Sequence, residues 1–261
     1  MVESVHAWHP PVPRVQEVLH ATFEQHAYPA HTHDSWTVLL IDEGAVAYDL
    51  ERHAHHAVPN SVTILPPFVP HDGRSAVAGK AFRKRVLYLD SHWLTSKESD
   101  AAIAHPLLRS PDALAAVTRI HAALASPAEV MEAESGVLDL HDILHTHLSG
   151  ARPPTKDSPL AQRLRELLDA HLTETFTVAE AASLLGTHPG HLQRAFSQGY
   201  GIPPHQYVTG RRVDLARRLL LDGRSPAQAA FETGFHDQPH LTRHFRRLLG
   251  TTPAAFRARA A

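Results

Sequence analysis

The chain has 261 residues, and its 25 lysine and arginine residues nearly balance 27 aspartate and glutamate residues. This length predicts one large or two ordinary domains, and the absence of cysteine excludes disulfides, thiolate metal sites and thiol redox sensing. The chain has neither an apolar run of about 18 residues nor a basic-then-apolar N-terminal signal, so we expect a cytoplasmic protein without a membrane span.

The N-terminal part of the chain has the pattern of a β-domain. Residues 1–20 are rich in proline and predict no element, but between residues 21 and 94 short apolar runs alternate with Gly, Pro and Asn. These runs predict strands, with a hairpin turn at Asp42-Glu43-Gly44. The predicted strands cover residues 37–41, 45–50, 61–65 and 85–89. Short strands separated in this way predict a small β-barrel.

Between residues 106 and 149 the apolar spacing becomes helical and forms two stripes. The first stripe consists of Leu114, Val117, Ile120, His121 and Leu124. The second consists of Val137, Leu138, His141, Leu144 and Leu148. Each apolar face needs a partner, which is either the outside of the barrel or the same helix of a second subunit. The Pro-rich stretch that follows predicts a semi-stiff linker at residues 151–158.

The C-terminal part of the chain contains one short pattern twice. HLQRAF at residues 191–196 returns 49 residues later as HLTRHF at residues 240–245. Two further residues, Gly201 and Pro204, return at the same spacing as Gly250 and Pro253. Two copies are too few for a solenoid, so we interpret the pattern as a duplicated small domain.

Each copy has the features of a helix-turn-helix unit. In the first copy Gly186 supplies the positive φ of the turn, and Thr187 is the predicted N-cap of the second helix. Gly234 and Asp237 take these two roles in the second copy. The residues predicted to face inward are Val178, Ala181, Ala182, Leu185, Leu192, Ala195 and Phe196 in the first copy and Ala227, Ala230, Phe231, Leu241 and Phe245 in the second.

This part of the sequence resembles the DNA-binding domain of the AraC/XylS-type transcription regulators. The matching stretches lie between residues 160 and 257 and read VAEAASLLGTHPGHLQRAF, PPHQYVTGRRVDLARRLLLDG and PAQAAFETGFHDQPHLTRHFRRLLGTTPAAFR. The resemblance implies double-stranded promoter DNA as a partner, with RNA polymerase as a further one. The charge agrees, because residues 157–261 contain 13 basic against 9 acidic residues, whereas residues 1–156 contain 12 against 18.

The polar faces of the second helix of each unit predict the DNA contacts. Arg194 and Arg243 are suited to guanine, and Gln193 and Gln238 to adenine, because these side chains match the hydrogen-bonding edges of those bases. Four other arginines are expected to meet phosphates, namely Arg211, Arg212, Arg246 and Arg247. The remaining predicted contacts are His188, His191, Asp237, His240 and Thr242. For each arginine the alternative is a surface charge that contacts nothing.

The phrases HTHDSW, DEGAVAYDL, VPNSVTILPPFVPHDG and RVLYLD resemble the cupin-type sensor domain at the N-terminus of many AraC-type regulators. The resemblance covers roughly residues 20–95 and implies a small-molecule effector bound by the barrel. It also implies that the helices at 106–150 carry a homodimer interface. Strand alternation and position suggest the effector contacts. The candidates are His31, His33, Trp36, Tyr48, His71 and Tyr88.

Three histidines in this region raise the question of a metal. His31 and His33 share one strand face, and His71 ends a later strand; three imidazoles can hold zinc, nickel or iron with open positions for water or a ligand. Metal-binding cupins resemble this arrangement, but they usually add a carboxylate four or five residues after the second histidine, where this chain has Thr37 and Val38. We therefore predict no required cofactor and keep a divalent metal at the three histidines as an alternative.

The predicted fold class is α+β, with a cupin-like β-barrel followed by helices and then an all-α domain that contains two helix-turn-helix units. The predicted domains are an effector-binding domain at 1–105, a dimerisation segment at 106–150, a linker at 151–158 and a DNA-binding domain at 159–261. The predicted function is a sequence-specific transcription regulator, an activator or a repressor and not an enzyme, that senses a small molecule. Two alternatives stay open: a metal-sensing regulator that uses His31, His33 and His71, and a cupin metalloenzyme fused to a DNA-binding tail.

Overall fold

The computed structural model describes residues 4–24, 26–126, 129–149, 159–174 and 176–258, so the predicted linker at 151–158 lies outside the described residues. The strands are β1 (Ser4–Trp8), β2 (Val15–Phe23), β3 (Tyr28–His31), β4 (Trp36–Glu43), β5 (Val46–Leu50), β6 (His53–Ala57), β7 (Val62–Leu65), β8 (His71–Ser75), β9 (Phe82–Leu89) and β10 (Leu107–Leu108). The helices are α1 (Ser96–Ala104), α2 (Pro111–Ala123), α3 (Val130–Ser149), α4 (Pro159–Ala170), α5 (Val178–Leu184), α6 (Pro189–Tyr200), α7 (Pro204–Leu221), α8 (Pro226–Glu232), α9 (Gln238–Leu249) and α10 (Pro253–Ala258). Within these described ranges, no helix is both long and apolar enough to cross a bilayer.

The strands form two antiparallel sheets, which together make a β-domain that is not closed into one continuous barrel. The order of the larger sheet is β1-β2-β9-β4-β7-β10, and that of the smaller sheet is β3-β8-β5-β6. β4 has a neighbour on each edge, β9 and β7, so β5 joins the other sheet. The predicted hairpin at residues 42–44 is therefore wrong, although the strands on either side of it are present.

Two strands lie where the sequence predicted no element. β1 pairs with β2, and β2 pairs with β9. Val18 faces one apolar cluster with the helices, whereas Leu19 and Phe23 face a second cluster between the sheets. Because β2 is covered on both faces and a bulge shifts its register between Val15 and Glu17, its residues do not show a simple polar–apolar alternation.

The helices α2 and α3 pack on the outer face of the larger sheet. Val117, Ile120 and Leu144 have no exposed surface and share an apolar cluster with Leu87 of β9. Both predicted apolar stripes thus find their partner mainly inside the chain, which is the first of the two alternatives drawn from the sequence. Leu138 is the clear exception, since 64% of its side chain is exposed.

The C-terminal helices form the two predicted helix-turn-helix units, α5 with α6 and α8 with α9, and α7 joins them. The inner positions of the second helix of each unit are buried as the repeat predicts. Leu192, Phe196, Leu241 and Phe245 are all 0% exposed.

Two local details of these units differ from the sequence-based prediction. The N-cap of α6 is His188 instead of Thr187, so the helix begins one residue later than expected. Ala227 is exposed and Phe231 is 85% exposed, contrary to the prediction, because Ala229 and Ala230 occupy the inward positions of the short helix α8. The neighbouring apolar position is filled instead by Phe235, which follows the turn and is buried.

Candidate DNA-binding surface and effector cavity

The outward faces of α6 and α9 carry the side chains that the sequence predicts to read bases. Gln193, Arg194, Gln238 and Arg243 are exposed, while the opposite faces of both helices are buried. The other exposed candidates are His188, His191, Asp237, Arg246 and Arg247, and the half-buried ones are His240 and Thr242. The two polar faces are therefore both open to a ligand as large as a DNA duplex.

Each of these helices begins with a side-chain cap. The ring atom Nδ1 of His188 accepts the backbone N–H of Gly190 at 3.2 Å, and Oδ1 of Asp237 accepts the backbone N–H of His240 at 2.6 Å. The caps stabilise the first turn of each helix. In a recognition helix this turn is the part that approaches the bases. Both capping residues were predicted as DNA contacts, and the structure gives them this structural role as well.

Two of the predicted phosphate contacts are wrong. Arg211 is only 6% exposed, and its guanidinium lies 3.3 Å from Asp34 and 3.2 Å from Asp169. Arg212 is half-buried and donates three hydrogen bonds of 2.7 Å to backbone carbonyl oxygens after α4 and in the turn between α8 and α9. Both guanidinium groups are engaged by protein acceptors, so neither is available for a phosphate in this structure.

The helix α7 also contacts the β-domain. Nε2 of Gln206 donates to the carbonyl oxygen of Ala30 at 2.5 Å, and Arg218 makes a bidentate contact with Asp34 at 3.0 and 2.8 Å. These bonds come from the two ends of α7. The helix that joins the two helix-turn-helix units is therefore attached to the β-domain along its length.

A buried group of charges occupies the middle of this contact. Arg217 is 2% exposed; its Nε lies 2.6 Å from Oε2 of Glu17, and its guanidinium carbon lies 4.1 Å from the ring centroid of Tyr88. The contact with Glu17 is not aligned as a hydrogen bond, so charge attraction dominates it. Burial raises the pKa of Glu17 to about 7 against the opposing charge of Arg217. Burial also acts to raise the pKa of Asp214, but Arg217 and Arg218 lower it to about 2.

A small cavity of about 50 Å³ is lined mainly by the β-domain and also by Leu249 of α9. Five of the six predicted effector contacts line it, namely His31, His33, Tyr48, His71 and Tyr88. Trp36 does not, because it packs with Val18 and Val38 on the opposite face of β4, beneath the helices. Both faces of β4 are buried, so the sequence pattern did not reveal which face lines the cavity.

Lys84 is the main lining residue that sequence reasoning missed. It shares a face of β9 with Tyr88, and its Nζ lies 4.1 Å from the ring centroid of Tyr28. Among the residues that the structure describes, no carboxylate pairs with Lys84. Burial lowers the pKa of Lys84 to about 7, and the charge of Arg217 adds to this shift. Alternation from Tyr88 identifies Lys84, but the predicted strand began one residue later.

Three histidines converge beside this lysine. One ring nitrogen of each of His31, His33 and His71 lies within 4.8 Å of the others. Nδ1 of His31 is 2.8 Å from the carbonyl oxygen of Pro29, and Nδ1 of His71 is 3.0 Å from that of Val69. Since a carbonyl only accepts, Nδ1 carries the proton in both rings and Nε2 keeps its lone pair. Burial lowers the pKa of all three rings, to about 4 for His71, so they are neutral at physiological pH.

A separate pair of histidines predicts that the folded protein loses stability in acid. Nε2 of His20 lies 3.2 Å from Nδ1 of His121, and burial lowers the pKa of both rings, to about 4 for His20. Between pH 6.5 and about 4 the unfolded chain binds protons that the folded pair does not, so stability falls as the pH falls through this window. Because an unfolded histidine titrates near 6.5, the loss from one such ring at pH 5 is at most about 2 kcal/mol.

The variant His121→Gln removes this titration and keeps a polar side chain. We expect urea unfolding to show a loss of stability between pH 7 and pH 5 that is smaller than in the wild type, by up to about 2 kcal/mol. His92→Gln serves as the control, because the side chain of His92 is 89% exposed. Equal acid sensitivity of His121→Gln and the wild type would contradict the prediction.

These structural features are shared with known proteins. Residues 15–141 match the family model described as the AraC-like ligand binding domain, and residues 181–259 match the model described as a helix-turn-helix domain. The HTH-type transcriptional regulator YbfI of Bacillus subtilis (strain 168) is 26% identical over 227 residues, which cover 82% of this chain and 81% of YbfI. The arabinose operon regulatory protein of Escherichia coli (strain K12) is 31% identical over 105 residues, which cover 38% of this chain and 36% of that protein.

The fold agrees with that of a solved regulator structure. ToxT from Vibrio cholerae O395 superposes with a TM-score of 0.65 at 12% identity, over 100% of this chain and 98% of ToxT. A β-domain with an internal cavity, joined to two helix-turn-helix units with exposed polar faces, defines a DNA-binding transcription regulator with a ligand-binding domain. With both parts of the chain matched in this order, the protein belongs to the AraC-type transcription regulators.

Proposed function

We propose that α6 and α9 enter successive major grooves of promoter DNA, about 34 Å apart on one face of the duplex, and that a small molecule in the cavity controls this binding. The observation that carries the proposal is the double role of α7. This helix joins the two DNA-binding units, and Gly210 in its middle lies beside the cavity residue His31, where an added Cβ would make an ordinary van der Waals contact of 3.5 Å with the Cβ of His31. A ligand that moves the cavity wall thus acts on the helix between the units.

The exposed side chains of α6 and α9 divide into two proposed roles. Arg194 and Arg243 would read guanine, and Gln193 and Gln238 adenine, through hydrogen bonds to base edges. Arg246 and Arg247, nearer the C-terminal end of α9, would hold phosphates and set the register. The remaining proposed contacts at the edge of the groove are His188, His191, Asp237, His240 and Thr242.

Arg243→Ala is expected to weaken binding by about 1–3 kcal/mol and to relax base preference at one position of the operator, because it removes a contact with one base. Arg246→Ala is expected instead to weaken all sequences about equally and to lower the salt dependence of binding. Binding to a panel of single-base operator variants at two salt concentrations measures both effects. The control is Arg119→Ala, since the side chain of Arg119 on α2 is 59% exposed. A uniform loss for Arg243→Ala across the panel would reassign this residue to the DNA backbone.

The domain organisation and partners form a further part of the proposal. We infer that residues 1–105 bind the effector, 106–150 dimerise, 151–158 link and 159–261 bind DNA. Leu138 of α3 supports a homodimer, because it is the one clearly exposed member of the two stripes. Sedimentation equilibrium of the wild type and Leu138→Glu tests this, and a wild type that stays monomeric at every concentration would refute it.

A regulator of this kind would act in the cytoplasm, with RNA polymerase as a partner at the promoter and without enzymatic activity of its own. The match to transcriptional regulators in both parts of the chain supports this proposal. Transcription in vitro with purified RNA polymerase, from a promoter that carries the operator, tests the partnership. No effect of the regulator on this transcription would contradict it. Measuring turnover of metal-loaded protein on cavity-sized substrates tests the absence of catalysis.

The cavity size limits the effector. One ToxT structure holds an unsaturated fatty acid, but drug-sized ligands occupy pockets of about 300–1,000 Å³, far above the 50 Å³ of this cavity. In this conformation the cavity fits a small ligand. A small carboxylate that pairs with Lys84 is the organic effector that the chemistry favours, and this leading proposal requires no cofactor.

The second candidate function is metal sensing through His31, His33 and His71. The observation that favours it is their convergence within 4.8 Å, with Nε2 lone pairs free on His31 and His71. The variant Lys84→Met separates the two candidates. It removes the positive partner of a carboxylate and is therefore expected to weaken the binding of an organic acid. It is expected to tighten the binding of a divalent cation, because it removes a like charge. Calorimetric titration of this variant and the wild type with metal and with small carboxylates decides between the two candidate functions.

A further inference from the structure

We propose that His31, His33 and His71 bind a divalent transition-metal ion and that Asp214 of α7 is the outer hydrogen-bond partner of His33. A bound ion would then fasten the DNA-binding helices to the β-domain. The inference rests on the metal-sensing candidate above and adds to it the part of the chain that detects the ion. It follows from the partners of the three rings, from the space between them and from the position of Asp214.

The first observation concerns the ring atom Nδ1 of each histidine. In His31 and His71 it faces a backbone carbonyl oxygen, and in His33 it lies 3.4 Å from Oδ1 of Asp214. Metal-bound histidines usually have such an acceptor behind the ring, because it fixes the tautomer and makes the other nitrogen a better ligand. Two rings therefore have the outer partner that a metal site requires, and the third, His33, has a carboxylate close to its Nδ1 that is not yet hydrogen-bonded to it.

The ligand set determines the class of ion. Three neutral imidazoles suit zinc, nickel, copper and cobalt, whereas magnesium and calcium require oxygen ligands. The nitrogens lie within 4.8 Å of one another, and bonds of about 2.0–2.1 Å in a tetrahedral site bring them to about 3.4 Å. The distances between the nitrogens thus shorten by up to about 1.4 Å on binding. The adjoining 50 Å³ cavity has room for one water, which takes about 30 Å³ in the liquid, as the fourth ligand.

The third observation is that the outer partner of His33 comes from a distant part of the chain. Asp214 lies on α7, between the two helix-turn-helix units, and is 4% exposed. In this structure Nδ1 of His33 is buried without a hydrogen-bond partner, and Asp214 is held near it by Arg217 at 3.2 Å. An ion on Nε2 polarises the opposite N–H of the ring, so the contact between His33 and Asp214 tightens. That contact transmits occupancy of the metal site to α7.

The metal site is tested first, on the full-length protein. Equilibrium dialysis is expected to show one tightly bound Zn²⁺, Ni²⁺ or Co²⁺ per chain and no Mg²⁺, and Co²⁺ is expected to give the intense visible absorption of four-coordination. His31→Ala and His71→Ala are expected to lower the affinity at least 100-fold. His53→Ala, an exposed histidine of the same β-domain, is the control. Absence of stoichiometric binding, or binding unchanged in His31→Ala and His71→Ala, overturns the site.

The coupling is tested separately, by hydrogen exchange of the wild type with and without Zn²⁺. We expect slower exchange in α7 as well as in β3 and β8. Slower exchange in β3 and β8 alone means that the ion binds but does not fasten α7, and this result overturns the inference while the metal-sensing candidate survives. Because only the wild type is used, the measurement does not depend on a variant that folds poorly.

Variants and DNA then test the role of Asp214. Asp214→Asn is expected to weaken Zn²⁺ binding about 10–100-fold, the range for lost outer partners. Asp169→Asn is the control, because Asp169, on α4, holds α7 through Tyr207 and Arg211 instead of through Asp214. In the wild type, Zn²⁺ is expected to change operator affinity at least about 5-fold, and DNA must change Zn²⁺ affinity by the same factor. Equal operator affinity with and without Zn²⁺ overturns the coupling, whereas absence of any DNA binding refutes the proposed function itself.

Discussion

Replacing Arg217 by alanine is expected to destabilise the folded protein by about 3–5 kcal/mol, because it breaks a buried ion pair between α7 and the β-domain. The substitution removes the opposite charge of Glu17, which has no exposed surface and a pKa of about 7, so this carboxyl must take up a proton at pH 7. The substitution also removes the contact of the guanidinium with the ring of Tyr88 and its 3.2 Å contact with Asp214. Urea unfolding of the full-length protein at pH 7, followed by circular dichroism, measures the loss.

The neighbouring residue Arg218 provides a matched comparison. It also bridges α7 to the β-domain, through Asp34, but 25% of its side chain is exposed. Water replaces much of a partly exposed ion pair, so Arg218→Ala is expected to destabilise the protein by about 1 kcal/mol or less. Substituting both residues, as Glu17→Leu with Arg217→Met, is expected to destabilise the protein less than Arg217→Ala alone, since no carboxyl group remains at position 17, although Asp214 still loses its 3.2 Å partner. Equal losses for Arg217→Ala and Arg218→Ala would contradict the proposed importance of burial.

The buried arginines also show which features were hidden from the sequence. The repeat placed Leu192 and Leu241 inside and Arg194 and Arg243 outside, because those positions follow from the periodicity of one helix. Arg211 was expected on the surface with them. Its carboxylate partner Asp34 lies far away in the chain, and no local pattern connects two residues that meet only after the domains have packed.

The β-domain shows a second limit of the same kind. Alternation identifies one face of a strand when the other faces water, as in β5, where it placed Tyr48 at the cavity. His33 lies in the loop after β3, so alternation does not explain its position there. Alternation failed for Trp36, because helices cover the outer face of β4 and make both faces apolar. Alternation also missed Lys84, because the predicted strand began one residue after it. A lysine that faces inward breaks the polar–apolar pattern that marks a strand, so the prediction stopped short of this residue.

The second large effect is expected at Gly234, in the turn between α8 and α9. Its φ is +74°, and a Cβ there would lie 2.5 Å from the backbone oxygen of Thr173. A left-handed backbone costs an L-residue about 1–2 kcal/mol, and the backbone oxygen has no side-chain freedom with which to move aside. Gly234→Ala is therefore expected to destabilise the protein by more than about 3 kcal/mol, within the range of severe single substitutions.

The duplication supplies the control for this prediction. Gly186 is the turn glycine of the first unit, with a φ of +62°, and a Cβ there meets nothing within 4 Å. Gly186→Ala thus carries the same backbone cost without the clash, and we expect a loss of about 1–2 kcal/mol. Urea unfolding of the two variants measures the difference. Equal losses would mean that the backbone relaxes around Thr173 and that the close approach at Gly234 has little effect.

The turn at Gly234 also affects how the two units are positioned relative to each other for DNA binding. The backbone oxygen of Gly234 accepts a hydrogen bond from Arg212, which also binds the carbonyl oxygens of Leu172 and Glu174 near the first unit. A methyl group at Gly234 pushes this turn away from Thr173 and so displaces α9 relative to α6. In conditions where both variants remain folded, Gly234→Ala is therefore expected to lose far more operator affinity than Gly186→Ala, while each separate unit keeps its own recognition face. An equal loss of affinity would show that the spacing between the units is set by α7 alone.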